Sequence, residues 1–383
     1  MRLSRSIVGE EEAEAVRRVI CDDGYLGMGA ETRQFEAELA EYLGVQPWQV
    51  ISVNSGTAAL HVACWCAVAN AERAGRLPEK PAILVPTLTF ISSFQAIVAA
   101  GCIPVPCDVL LQTGTLDLTD AENRLTSDVI AVMHVDYASN PWQLEKVYEF
   151  GHKNKIQVID DAAHAFGCRY HGSKIGSFGQ LVCFSFDGIK NITSGEGGCL
   201  VAFDSEDAQI AADARLLGVE GDTAKRFSGS RTWDPDAKRP GLRYHLSNIM
   251  AAIGRVQLKR LEKEFIPARR RLYELYKNAL EGAEGLELFS TDPADYIVPH
   301  ILPVRLLNGK REQIAHSLAE AGIPTGTHYK PNHLLSLFGK GDISLPNSER
   351  LYRELLTLPL HPGLSEKDVD FICKTLLSLL ATK

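Results

Sequence analysis

The sequence predicts an α/β protein with a mostly parallel seven-stranded sheet in its larger part and a smaller α+β unit at its C-terminal end. Three observations carry this. Seven short β-branched or apolar runs, "QVISVN", "AILVP", "CIPVP", "VIAVMHV", "IQVID", "QLVCFSF" and "CLVAF", recur between residues 49 and 203, several of them separated by helical stretches. Strands alternating with helices favour a layered, mostly parallel sheet. A chain of 383 residues is too long for one compact core, so two units are expected, residues 1–255 and 256–383. After the seventh run the pattern changes to a long charged helix followed by mixed short elements.

Taken in order, "EEEAEAVRRVI" and "ETRQFEAELAEYL" read as amphipathic helices, because apolar positions return every three or four residues. "TAALHVACWCAVANAER" and "QLEKVYEFGHKN" read as helices between strands. The long helix "QLKRLEKEFIPARRRLYELYKNALEGA" is interrupted by Pro267, which lacks an N–H and marks a kink or joint. "YIVPHILPVRL" and "REQIAHSLAEAGI" follow, and a last helix, "SEKDVDFICKTLLSLL", opens on a Ser-x-x-Asp cap. "FSGSRTWDPDAKRPG", rich in Gly, Pro, Ser and charge, is expected to be a long irregular loop.

Composition narrows the partners. The chain is 45% hydrophobic and 23% charged, with a net charge of −8 and a pI near 5.8. That balance disfavours a nucleic-acid or anionic-membrane surface and points to a small-molecule partner. No apolar run reaches 18 residues, and "MRLSRSIVGEEEAEAVRR" turns acidic where a signal peptide would be apolar, so a cytoplasmic enzyme is expected. Nine cysteines without a C-x-x-C pair read as buried thiols. Cys64-Trp65-Cys66 lies in an apolar helical stretch without a second ligand pair, so no metal is expected.

Ligands of an open parallel sheet bind beyond the carboxyl ends of its strands, which makes the residues after each run the candidates. "QVISVN" ends in Asn54-Ser55-Gly56-Thr57 at a helix start, where free N–H groups favour a phosphate or the hydroxyl simply caps the helix. After "AILVP", Phe90 is either a core residue or a plate over a flat ring. "IQVID" closes on Asp160-Asp161, adjacent carboxylates that are costly to bury unless they face water or a cation. Asp161 suits a cationic ring nitrogen, and His164 follows three residues on. After "QLVCFSF" comes Lys190, whose amine becomes a nucleophile for a carbonyl if the cleft desolvates it. A phosphate site, an aromatic plate, a carboxylate and a lysine together are the requirements of pyridoxal 5'-phosphate. The competing phosphotransferase reading fails, since "GSKIGSFG" and "GIKNITSGEGG" miss the G-x-x-x-x-G-K-[ST] spacing. "GMG" at Gly27 to Gly29 lacks the third glycine of a dinucleotide site.

The stretches "VNSGTAALHVA", "VPTLTFISS", "VIDDAAHAFG", "IGSFGQLVCFSFDGIKNITSGEGG" and "LRYHLSNIMAAIGRVQLKRLE" resemble, in order, the blocks of the DegT/DnrJ-type sugar aminotransferases. The resemblance covers nearly the whole chain. It implies the aspartate aminotransferase fold (fold type I), a homodimer with active sites at the interface, and transfer of an amino group from glutamate to a nucleotide-linked keto sugar. By position it makes Lys190 the Schiff-base lysine, Asp161 the partner of the pyridine nitrogen, and His164 the neighbour of the ring hydroxyl. Gly56, Thr57 and Ser185 match the phosphate positions and Phe90 the stacked aromatic. "RYHLSN" matches the loop a neighbouring subunit lends to the phosphate. Here Arg243 and His245 stand where the family more often has asparagine. Sugar dehydratases of similar fold carry histidine in place of the lysine, so Lys190 favours transamination. "IPTGTHYKPNH", with His328, resembles the sugar-facing segment of enzymes that aminate carbon 4 of UDP- or dTDP-linked keto sugars. A carbon 3 aminotransferase and a non-catalytic regulatory member of the fold are the alternatives.

Overall fold

The computed structural model describes residues 1–228, 234–307, 309–339 and 343–381. All seven apolar runs form strands: β1 (Val50–Val53), β2 (Ala82–Pro86), β3 (Ile103–Cys107), β4 (Val129–Val135) and β5 (Gln157–Asp161) come first. A small hairpin, β6 (Arg169–Tyr170) and β7 (Ser173–Lys174), precedes β8 (Leu181–Ser185) and β9 (Gly198–Ala202). The seven-stranded sheet has the order β1-β9-β8-β5-β4-β2-β3, and β9 alone runs against its neighbours. The reason is local: β8 and β9 are joined by residues 186–197, which contain no helix to carry the chain across for a parallel return.

Strand alternation sorts the side chains into two layers. Ile83, Val85, Ala131, Met133, Ile159 and Cys183 pack with Leu60, Ala63 and Phe94 from the helices Gly56–Arg73 and Ile91–Ala99. Leu84, Val132 and Val158 face the opposite layer, with Val147 and Phe150 of the helix Leu144–Asn154. This phase puts Asp161 on the first face and Asp160 on the second.

The three-stranded sheet β10 (Leu286–Leu288), β11 (Leu302–Leu306) and β12 (Leu355–Leu358) is antiparallel and has its own core, including Leu272, Tyr276, Val304 and Ile372. The long helix begins at Asn248, earlier than its sequence suggests, and runs to Arg260. A π-helical turn, Leu261–Phe265, then leads into the helix Ile266–Leu280. Pro267 explains the widened turn, because it cannot donate back to the preceding turn. Leu258, Leu261, Phe265 and Ile266 still pack in the core of the large sheet, and the small core takes over at Leu272. At the last helix, the Ser365 hydroxyl bonds the Asp368 carboxylate at 2.7 Å and accepts the Asp368 N–H at 3.2 Å, the expected cap.

Of the expected loop Phe227–Gly241, residues 229–233 lie outside the described residues. In the remainder, Ala237 forms a single bridge to Val219. Eight of the nine cysteines are buried and Cys21 is exposed. Among the described residues, no group of three or more His, Cys, Asp or Glu could hold a metal ion, and no helix is long and apolar enough to cross a membrane.

Candidate active site

A cavity of about 400 Å³ opens beyond the carboxyl ends of β1, β2, β5 and β8. Eight of the ten sequence-predicted residues line it: Gly56, Thr57, Phe90, Asp161, His164, Ser185, Lys190 and His328. Each arrives there for a local reason.

Gly56 and Thr57 open the helix Gly56–Arg73, capped by Ser55, whose hydroxyl accepts the Ala58 N–H at 3.1 Å. The glycine is required by packing: a Cβ there would sit 2.7 Å from Ser185 Cβ and 3.3 Å from Ser185 Cα, which belongs to the sheet. Helix start and strand end therefore meet at one point, with free N–H groups and two hydroxyls suited to an anion. Phe90 precedes the helix Ile91–Ala99 and is 54% exposed, so it is not a core residue.

Asp161 is buried at the end of β5. The Ser93 hydroxyl donates to its Oδ2 at 2.8 Å and the Ala163 N–H to its Oδ1 at 3.3 Å, while the Ser93 oxygen also lies 2.9 Å from Thr89 Oγ1. Burial raises its pKa, and the Ser93 hydrogen bond, the Lys190 charge and the Ala163 N–H oppose the rise. Lys190 stands in the loop after β8, where its N–H closes a turn onto the Asp187 carbonyl at 3.1 Å. Burial depresses its amine to about 8, against the pull of Asp161 and Asp187. The opposed shifts of one acid and one amine in a single cavity are the pattern of a tuned reactive site.

His164 is buried, and its Nε2 lies 3.1 Å from the Tyr329 hydroxyl. Burial, then the charges of Lys190 and His328, hold its pKa well below the usual imidazole range, so the ring is neutral at pH 7. His328 is pushed down to about 4, first by burial, and its Nδ1 lies 2.9 Å from Thr357 Oγ1 of β12. The segment carrying His328 and Tyr329 is tied to the large sheet by Asn332, whose amide donates to the carbonyls of Thr87 at 3.1 Å and Thr89 at 2.9 Å.

Arg243 and His245 are not among the residues that line this cavity. Their segment runs along the end of β1. Asn54 donates its N–H to the Tyr244 carbonyl at 2.6 Å and its side-chain amide to the Arg243 carbonyl at 3.3 Å, and His245 bridges Val53. The Arg243 side chain is exposed. Sequence reasoning passed over Ser93, His300 and Tyr329. Ser93 lay inside the quoted "FISS" without a visible partner, and Tyr329 sat beside His328 with no signal of its own. His300, buried and lining the cavity, stands in an apolar run like any core histidine.

The donor set can hold a flat, phosphate-bearing aldehyde: an anion cradle at one end, a hydrogen-bonded carboxylate for a ring cation, and a half-buried amine of depressed pKa. The comparisons agree with that chemistry. The DegT/DnrJ/EryC1/StrS aminotransferase family matches residues 6–377. A relative from Saccharopolyspora spinosa, dTDP-4-dehydro-2,3,6-trideoxy-D-glucose 4-aminotransferase, is 34% identical over 374 residues, covering 96% of this chain and 94% of its own. UDP-4-amino-4,6-dideoxy-N-acetyl-beta-L-altrosamine transaminase of Campylobacter jejuni is 31% identical over 385 residues, covering 98% and 96%. Among solved structures, the aminotransferase TlmJ from Streptoalloteichus hindustanus superposes with a TM-score of 0.89 at 30% identity, covering 100% of this chain and 99% of that one. The chain belongs to the DegT/DnrJ/EryC1/StrS aminotransferase family and is a pyridoxal-phosphate-dependent aminotransferase of fold type I.

Proposed function

We propose that this aminotransferase moves an amino group from glutamate to a nucleotide-linked keto sugar, at carbon 4 of a UDP- or dTDP-linked 4-keto or 4-keto-6-deoxy sugar. The observation that carries the reading is the pairing, in one cavity, of a lysine amine depressed to about 8 with a buried, hydrogen-bonded Asp161. When bound, pyridoxal phosphate supplies an aldehyde that takes up and releases amino groups and a cationic ring that draws electrons from the reacting carbon.

In this reading Lys190 Nζ would hold the cofactor's aldehyde, and as a free amine it would accept the proton lost by the amino donor's carbon and return a proton to the carbon of the keto sugar. Its depressed pKa leaves a usable fraction neutral near pH 7. Ser93 and Ala163 donate to the two oxygens of Asp161 and oppose the rise that burial imposes on its pKa, which favours the ionised form that would stabilise the ring cation. Gly56, Thr57 and Ser185 would hold the phosphate and Phe90 the flat ring, and His164 with Tyr329 offers polar groups in the same cavity. Residues 1–255 are then the cofactor-binding unit, and 256–383 the smaller unit that presents His328 to the sugar. Arg243 and His245, absent from their own chain's cavity, would serve the phosphate of a second copy in a homodimer.

Carbon 4 is favoured over carbon 3 by His328, which lines the cavity within "IPTGTHYKPNH". The Saccharopolyspora relative, by its name, acts at carbon 4. The test is product analysis with glutamate and UDP- and dTDP-linked 3-keto and 4-keto sugars. Amination of the 3-keto compounds alone would overturn the carbon 4 reading. A purified protein that develops no visible absorbance with pyridoxal phosphate would overturn the assignment of Lys190.

A further inference from the structure

Behind the sheet from the cavity lies a polar group that the proposed reaction does not use. The register pairs His134 of β4 with Asp160 of β5, and Val135 with Asp161. Because alternate residues face opposite sides, His134 and Asp160 lie on the face away from Asp161. Asp136, just past β4, places Oδ1 3.5 Å from His134 Nε2. His134, Asp136 and Asp160 are 1%, 0% and 1% exposed. Six buried atoms here have no hydrogen-bond partner in the protein: both ring nitrogens of His134, both oxygens of Asp136, Oδ1 of Asp160 and the Tyr148 hydroxyl.

So many orphaned polar atoms in one place call for an explanation. Ordered water can satisfy the hydrogen bonds of such a cluster, but water buried this deeply cannot offset two dehydrated negative charges. A cation would, yet among the described residues neither carboxyl has an ion pair with lysine or arginine, and no metal-ligating group is present. One histidine can neutralise at most one carboxylate. The remaining way to keep the interior uncharged is to keep protons on the acids.

We propose that Asp136 and Asp160 are held as uncharged carboxylic acids at neutral pH, sharing their protons with His134 as one unit, so that Asp161 is the only ionised carboxylate at this end of β4 and β5. The proposal rests on the reading of Asp161 as partner of the cofactor ring. The three residues are positioning residues: an anionic Asp160 or Asp136 would work against ionisation of Asp161 by like-charge repulsion. The directions agree. Burial first, then the neighbouring carboxyls, raise Asp136 and Asp160 well above the usual range, and burial lowers His134. The other titratable groups that bear on the cluster are Tyr148, Asp295 and Cys168, with Cys183 on the opposite face of the sheet. All except Asp295 are neutral by type at pH 7.

Infrared spectroscopy of the full chain in heavy water at neutral pH tests this directly. The expected spectrum contains the carboxylic-acid C=O stretch. Asp136→Asn and Asp160→Asn each remove part of it, and both single variants bind pyridoxal phosphate within about twofold of the parent, because the amide is a neutral isostere of the acid. Either of two results overturns the proposal: no such band in the parent, or a tenfold or larger change in cofactor affinity in either variant. Asp161→Asn separates the two readings. Unchanged cofactor affinity in that variant overturns the ring-partner role of Asp161, whereas the infrared band reports on Asp136 and Asp160 regardless.

Discussion

The rate at which cofactor-free protein captures pyridoxal phosphate should follow the neutral fraction of Lys190, and the structure sets where that fraction changes. Its amine is lowered from 10.5 to about 8. At pH 7 roughly one amine in ten is then neutral, against roughly one in three thousand at the ordinary value, a gain of about 300-fold in reactive species. The sign is fixed by the direction of the shift: capture speeds up about tenfold per pH unit below 8 and levels off above it. The assay mixes the protein with the cofactor between pH 6.5 and 9.5 and follows the visible absorbance as it forms. A rate that keeps climbing with unit slope to pH 9.5 would refute the desolvated-amine argument. Asp187→Asn supplies the second arm. The Asp187 charge raises the Lys190 pKa, and its Oδ2 accepts the Ile189 N–H at 3.2 Å, a bond the asparagine oxygen can keep. Losing the charge should move the midpoint below 8, and a midpoint that moved up would contradict the electrostatics. The same depression implies that the cofactor-free fold gains stability as pH rises from about 8 to 10.5, where the unfolded chain still binds the proton that the native chain has lost.

Gly56→Ala sets a new Cβ 2.7 Å from Ser185 Cβ, beside backbone that cannot yield, and should cost about 1–3 kcal/mol in chemical denaturation of the cofactor-free protein; unchanged stability would show that the helix start can slide. Ser93→Ala strips Asp161 of its 2.8 Å donor, leaves the Ala163 N–H, and raises the carboxyl pKa, so cofactor affinity should fall by about tenfold. Equal binding by titration would remove Ser93 from the account. Mixing Lys190→Ala with Arg243→Ala chains, each inactive alone, should recover about a quarter of parental activity after subunit exchange, since half of random dimers are mixed and each mixed dimer keeps one intact site. No recovery would place both residues' work within one chain.

The large sheet and half of the site's logic were legible because both are local. A β-branched run bounded by Gly, Pro or Asp is a strand whatever surrounds it, and in a parallel sheet its last residues stand at the ligand edge. Lys190, Asp161 and Gly56 were reachable that way. Ser93 was not, since its meaning depends on an oxygen 68 residues away. Neither was Tyr329, whose partner His164 is 165 residues off. The π turn before Pro267 shows the middle case: the sequence marks the joint, but only the packing of Phe265 and Ile266 on the large core decides where the chain changes allegiance.

That division between local and distant has a functional side. The groups that could handle the cofactor sit at the ends of β1, β2, β5 and β8 and in the turns beside them. His328 and Tyr329 instead come from a segment tethered by Asn332 to Thr87 and Thr89, and by His328 to Thr357 of β12. The tether to the large sheet runs through Asn332 and, among the described residues, the His328 ring meets only Thr357 by hydrogen bond, so the His328 side chain can change without disturbing the strand ends. Substrate selectivity and cofactor capture should therefore be separable: His328→Gln should alter the KM for the keto sugar and leave the capture midpoint near pH 8 in place, because His328, pushed down to about 4, carries no charge at that pH to act on Lys190. The paired measurement of capture midpoint and KM decides it, and a midpoint displaced by His328→Gln would mean that the two units tune the lysine together.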